Sequence, residues 1–404
     1  MKQDDPSAGK ALPSVLWALM FGNFVIGTGI MLVPGTLNDI SKDLMVSVPV
    51  AGQLIAIAAL LMCLGAPLLV TVVARWDRRR LLALSMLWYG ALHLLSATMP
   101  SFASLLVVRV LTVISPAVFT PQAAACVGLL VPAHQRGRAI SLVFLGWSVA
   151  SVLGMPLGSW IGEAVGWRYA FALVGLLAFF SAAWVWKTMP DAVIPPTFSL
   201  TTWRETLQSK PLMLCVGVTV LYSAGQFVLS SYLAPYYKAI FDITPTQLSL
   251  MFIWFGAFGF IGNFWVSRNI DRLSAPRTVM MAVSGMALSM LLWPLGTSLP
   301  LIALVIIPWG LGCFAANSAQ QARLTSIAPA LASGSIALNT SAMYAGQGLG
   351  AASGGWLIAH DQMSMLHWVG LTGLLLSMLV SWLATRTHKK QTLLSSIRSS
   401  DQGS

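Results

Sequence analysis

Apolar residues run along this chain in long blocks separated by short polar connections. The blocks cover residues 13–37, 48–73, 81–99, 103–130, 139–162 and 168–188, then 211–236, 246–267, 278–297, 300–322, 335–358 and 366–385. About 20 mainly apolar residues cross a bilayer as a helix, because each backbone donor and acceptor must be paired inside the segment once water is excluded. The pattern predicts an all-α polytopic membrane protein with twelve transmembrane helices. The longest polar connection, Met189 to Lys210, falls after the sixth block. The expected organisation is an N-terminal six-helix half (1–188), a linker (189–210), a C-terminal six-helix half (211–388) and a tail (389–404).

Positive charge then orients the helices. Nineteen of the 23 Lys and Arg fall on the side of the two termini, three (Lys42, Arg168 and Lys238) on the opposite side, and Arg109 lies inside a block. Loops rich in Lys and Arg stay cytoplasmic, so both termini are expected in the cytoplasm, and the polar N-terminal stretch to Ser14 is read as preceding an uncleaved first span. With 57% hydrophobic and 9% charged residues, the chain lies far from the soluble average of about 25% charged. The net charge of +11 is dispersed among the connections, which excludes a nucleic-acid partner. Cys63, Cys126, Cys215 and Cys313 have no ligand spacing and read as packing residues, so neither disulfide, metal nor cofactor is expected.

The halves repeat. At a constant offset of 196 residues, Ile140 meets Ile336, Leu142 meets Leu338, Gly154 meets Gly350, Gly158 meets Gly354 and Trp160 meets Trp356. Duplicated parallel halves with a binding site near the midplane are a transporter architecture. The fifth block itself carries small residues at four-residue spacing, Gly146, Ala150, Gly154, Gly158 and Gly162. Helices in lipid associate by close packing, so this stripe predicts a tight interface with another helix, bent at Pro156.

Gly154, Pro156 and Gly158, followed by GWRYAF from Gly166, resemble the fifth-helix antiporter motif of the major facilitator superfamily, in the form carried by its drug/proton and sugar-efflux exporters. The resemblance covers the whole chain. It implies the major facilitator fold, with the bent fifth helix and its eleventh-helix counterpart forming the contact between halves that blocks leak. The loop VARWDRRR, with Arg75 and Arg79, and its second-half counterpart with Asp271 and Arg272, resemble the superfamily's cytoplasmic gate signature. Ala74 stands where the family has an aspartate, and purely topogenic positive charge is the competing reading.

Arg109 stands out on physics alone, since a guanidinium within a span faces a cavity or an ionic partner. Counting about 1.5 Å per residue from Ala103 puts it roughly 9 Å in, on the outer side of the cavity. Its segment also resembles the fourth-helix arginine motif of the exporters. The carboxylate that many relatives place in the first span is missing, with Ile30 in its position. Asp39 is the substitute candidate, either paired with Arg109 at an outer gate or exposed at a helix end. His93 could titrate, but its helix is expected to face lipid.

By the family pattern the cavity is lined by Asn23, Thr28, Gln53, Gln122, Trp147, Tyr222, Gln226, Tyr232, Trp254, Asn317, Gln320, Asn339, Tyr344 and Gln347. Amides, hydroxyls and aromatic faces suit a neutral or weakly polar solute, and for each residue helix-to-helix hydrogen bonding is the alternative. The sequence thus reads as a monomeric secondary transporter of a bacterial inner membrane. It would export a drug, sugar or nucleoside-like solute in exchange for protons, without cofactor or metal. Uptake or uncoupled facilitation, and a non-transporting receptor, are the alternatives. No nucleophile and base pairing or phosphate-cradling loop supports an enzyme.

Overall fold

A computed structural model describes residues 13–73, 75–132, 136–193, 200–328 and 331–401. In the N-terminal half the spans are α1 (Ser14–Asp43), α2 (Gln53–Val72), α3 (Arg78–Ala97), α4 (Phe102–Thr112, resuming after Val113 as Ile114–Leu130), α5 (Arg136–Ile161) and α6 (Trp167–Thr188). The C-terminal half holds α7 (Lys210–Ser230, extended by Leu233–Phe241), α8 (Pro245–Leu273), α9 (Ala275–Leu292), α10 (Leu299–Val305, then Ile307–Ile327), α11 (Ala332–Ala359) and α12 (Leu366–Asp401). Ten stretches among the described residues are long and apolar enough to cross a membrane, and one of them, Leu142–Thr188, contains both α5 and α6. α11 is not among the ten, because its Gly, Ser, Asn and Gln lower its hydropathy, yet it packs between α2 and α7. Twelve spans result. The start of α1 and the end of α12 share one face, called here the terminal face; the other is the far face.

Local chemistry sets several boundaries. Asp77 opens α3 by accepting from the Arg80 amide at 3.1 Å. Ser101 with Ser104 and Thr244 with Gln247 form reciprocal capping boxes at the starts of α4 and α8. α5 ends in a π-helical turn, Gly162–Gly166, and Gly166 adopts a φ of +110° that only glycine takes without strain.

The glycine stripe of α5 packs on α1, inside its own half. A β-carbon at Gly154 would lie 3.0 Å from Met31 and 3.2 Å from Thr28, one at Gly158 would lie 3.1 Å from Leu32, and one on α1 at Gly27 would lie 2.6 Å from Ala150. α11 repeats the arrangement on α7, where a β-carbon at Gly350 would lie 2.5 Å from the Ala224 carbonyl oxygen. The stripe itself thus faces its own half, while the expected contact of α5 and α11 with the opposite half forms on other faces of those helices. Small residues permit close approach, and here the neighbour in the same half uses it.

The halves meet instead through two other faces, α2 against α11 and α5 against α8. A β-carbon at Gly348 would lie 2.8 Å from Leu60, and one at Gly256 would lie 2.8 Å from Val152. The 196-residue offset maps Leu60 onto Gly256 and Val152 onto Gly348. The two contacts are therefore one contact, repeated with its large and small partners exchanged. Ser249 on α8 adds a hydrogen bond to the Pro156 carbonyl at 3.3 Å.

Candidate functional site

Where α1, α2 and α4 approach α11, a small cavity lies between the halves, lined by Ile30, Ile55, Ala58, Ala59, Met62, Arg109, Val113, Tyr344 and Gln347. Its volume of about 20 Å³ holds about one water. α4 is interrupted at Val113, one turn after Arg109. The interruption has a covalent cause: Pro116 carries no N–H to donate to the Thr112 carbonyl, and next to it the Leu111 carbonyl accepts from Trp88 Nε1 at 3.0 Å.

Arg109 is 5% exposed. Its Nη1 donates to the Gly29 carbonyl at 3.5 Å, a long bond, and its Nε has no partner. Gly29 lies midway along α1, so Arg109 sits at mid-depth, deeper than the sequence count placed it, because its long side chain reaches across to α1. No Arg109–Asp39 pair forms. Asp39 is ten residues further along α1, roughly 15 Å at helical rise. The Gly29 surroundings also hold Tyr89, whose hydroxyl donates to the Ile26 carbonyl at 3.2 Å, and His93. His93 is fully buried between α1 and α6 rather than facing lipid, against Phe171, with Nδ1 2.9 Å from the Tyr89 carbonyl oxygen. That carbonyl only accepts, so Nδ1 carries a proton.

On the far face, Lys238, on the extension of α7, pairs with Glu163 in the π-helical turn after α5, linking the two halves. Asp39 lies beside this pair: a β-carbon at Gly162 would come 2.7 Å from its carboxylate, which feels the charges of Lys238, Glu163 and exposed Lys42. Tyr232 closes the same face by packing against Gly52, while its hydroxyl donates to the Ala351 carbonyl at 2.8 Å. Nearby, Asp43 pairs with Arg168 and accepts from Trp167 at 3.0 Å, fixing the end of α1 to the start of α6.

Six of the fourteen polar and aromatic residues assigned to the cavity by sequence hydrogen-bond between helices instead. Asn23 donates to the Val143 carbonyl at 3.1 Å and accepts from Thr120 at 2.9 Å. Thr219, Asn339 and Asn317 form a chain across α7, α11 and α10, and Gln320 donates to the Cys215 carbonyl. Trp254 is 40% exposed and donates to the Ala303 carbonyl at 2.8 Å, on the side of α8 turned toward α10 and away from the cavity. Gln53 is exposed at the start of α2 and Trp147 packs against Gly27, whereas Thr28, Gln122, Tyr222 and Gln226 are buried. Only Tyr344 and Gln347 of that set line the cavity beside Arg109.

The terminal-face cluster differs from the gate expected of it. Arg79 pairs with Asp191 at 2.6 Å, donates to the Trp186 carbonyl at 2.8 Å and stacks on the Trp186 ring, all within the N-terminal half. It clamps α3 to α6. Arg75 and Arg272 are exposed, and the side chain of Asp271, like Ala74, lies outside the described residues. What sequence reasoning missed is the apolar cavity wall of α2 and the partner of Lys238. The one available signal was opposite charges at the far-face ends of α5 and α7.

A sequence model of the Major Facilitator Superfamily matches residues 19–337 and 215–400. The inner membrane transport protein YdhP of Escherichia coli K12 is 28% identical over 351 residues, covering 85% of this chain and 88% of that protein. A probable sugar efflux transporter of Mannheimia succiniciproducens is 28% identical over 355 residues, covering 87% and 89%. Among solved structures, an inward-facing, unoccupied bacterial homologue of the human lysosomal transporter Spinster superposes with a TM-score of 0.75 at 17% identity, covering 94% of this chain and 99% of that one.

Proposed function

The chain belongs to the Major Facilitator Superfamily, and from that premise we propose that this multi-pass membrane transporter exports a small amphipathic solute by alternating access. The observation that carries the reading is the mid-depth cavity between the halves, holding Arg109, with the far face shut over it by Tyr232 and the Lys238–Glu163 pair. Assigning the terminal face to the cytoplasm rests on the positive charge of its loops. A bacterial inner membrane location accords with the Escherichia coli relative. Export accords with the glycine-proline motif of α5 and with the sugar-efflux relative. A drug, sugar or nucleoside-like body would enter only as the halves move and widen this small cavity, and the chain would act as a monomer.

In this reading the halves rock about the two repeated contacts, α2 with α11 and α5 with α8. The ion pair forms only when the far face is closed, so opening that face must break it. A bacterium lacking its major efflux pumps tests the proposal: expression of the chain should raise resistance to at least one drug, nucleoside or sugar analogue and lower its accumulation. Accumulation raised instead by expression would reverse the direction.

Exchange for protons would use the far-face carboxylates, because apolar Ile30 occupies the cavity wall at the position where the family resemblance implies an acid. Asp39→Asn should then leave binding intact but make solute flux in vesicles insensitive to an imposed pH gradient. A gradient response equal to wild type would remove Asp39 from coupling. No response in wild type would establish uncoupled facilitation, the reading that the apolar Ile30 favours.

A further inference from the structure

We propose that this cavity, widened from its one-water volume as the halves move, takes an organic monocarboxylate, with Arg109 as the group that binds the carboxylate. The inference rests on reading this cavity as the substrate site. Arg109 is buried, lacks a carboxylate partner among the described residues, makes one long hydrogen bond to a neutral carbonyl and leaves Nε unpaired. A buried guanidinium is costly to desolvate and is held elsewhere by a counter-ion or by several hydrogen bonds.

The same chain supplies the contrast. Arg323, equally buried in α10, has its charge spread over Ser381 Oγ at 2.9 Å, the Ser381 carbonyl at 3.0 Å and Thr385 Oγ1 at 2.9 Å. Arg323 is a satisfied strut. Arg109 is not, and it faces a cavity.

The charge count selects the class of anion. One planar guanidinium matches one carboxylate through two parallel N–H donors. A phosphate monoester would carry close to two negative charges, with no second cation in the wall to meet them. The remaining wall of Ile55, Ala58, Met62 and Val113 would cover an aliphatic or aromatic body, and Gln347 and Tyr344 would meet a polar substituent. Of the amides that suggest a neutral solute, Asn339 and Asn317 are bonded to each other and only Gln347 lines the cavity.

The test is binding, measured without transport. The full chain in phosphatidylcholine nanodiscs at neutral pH is titrated with 3-phenylpropanoate and with 3-phenylpropanamide, nearly the same shape without charge, following thermal stabilisation. The carboxylate should bind at least about tenfold more tightly than the amide. That ratio should fall to about one in Arg109→Gln and remain partly in Arg109→Lys. Equal or tighter binding of the amide to wild type overturns the inference, and that comparison needs no variant to fold. A ratio unchanged in Arg109→Gln overturns it too. A preference lost when phosphatidylglycerol replaces part of the lipid would assign the guanidinium to a lipid headgroup, which also overturns it. Carboxylate preference without export in cells would sink the transport reading alone, and export without the preference would sink only this one.

Discussion

Gly146→Leu is expected to eliminate folded protein. A β-carbon there would collide with the Met20 carbonyl oxygen and come 2.7 Å from the Phe24 nitrogen, so α1 and α5 touch backbone to backbone. Backbone atoms cannot turn aside as a side chain end can. The helices would have to part, which loosens the Ala150, Gly154 and Gly158 contacts along the same stripe and lengthens the 3.1 Å bond from Asn23 to Val143. Overpacking at one well-packed position costs about 1–3 kcal/mol, and propagation along a stripe takes the total above that. Gly217 on α7 is the control, since a β-carbon there meets nothing within 4 Å. Gly217→Ala should keep wild-type yield and melting temperature, while Gly146→Leu loses the monodisperse peak in size-exclusion chromatography. A wild-type profile for Gly146→Leu would mean that α5 does not rest on α1.

How far the sequence reached depends on what each signal encodes. Twelve spans and the duplicated halves were legible because bilayer thickness fixes the length of an apolar run and the 196-residue offset survives in small residues. The partner of the α5 stripe was not. Glycines at four-residue spacing state that a backbone comes close, and both α1 and α8 come close to α5, through Gly154 and through Gly256 respectively. The cavity was overdrawn for a related reason: a buried amide looks the same in sequence whether it awaits a ligand or another amide. Asn339 and Asn317 found each other at 3.1 Å. Lys238 and Glu163 lie 75 residues apart in different halves, and no periodicity relates them; only the fold brings them together.

Arg109→Ala is expected to abolish transport while making the protein harder to unfold. The two effects share one cause. The guanidinium stands buried beside Ile30 and Val113 with a single long hydrogen bond, a net cost that an ionic ligand would relieve. Removing one partner of a buried charge pair costs about 2–5 kcal/mol in affinity, so flux at low solute concentration should fall at least about thirtyfold. Replacing a poorly compensated buried charge by an apolar group of similar size can stabilise a fold by about 1–4 kcal/mol. Arg109→Met, close to arginine in reach and able to fill the space, should show the larger gain in melting temperature. Alanine leaves a void that offsets part of it. Solute flux into inverted vesicles at matched protein levels, read beside thermal unfolding of the same preparations, separates this from simple damage. A variant that loses transport and melts lower would make Arg109 a structural strut like Arg323, and one that keeps transport would take it out of the site.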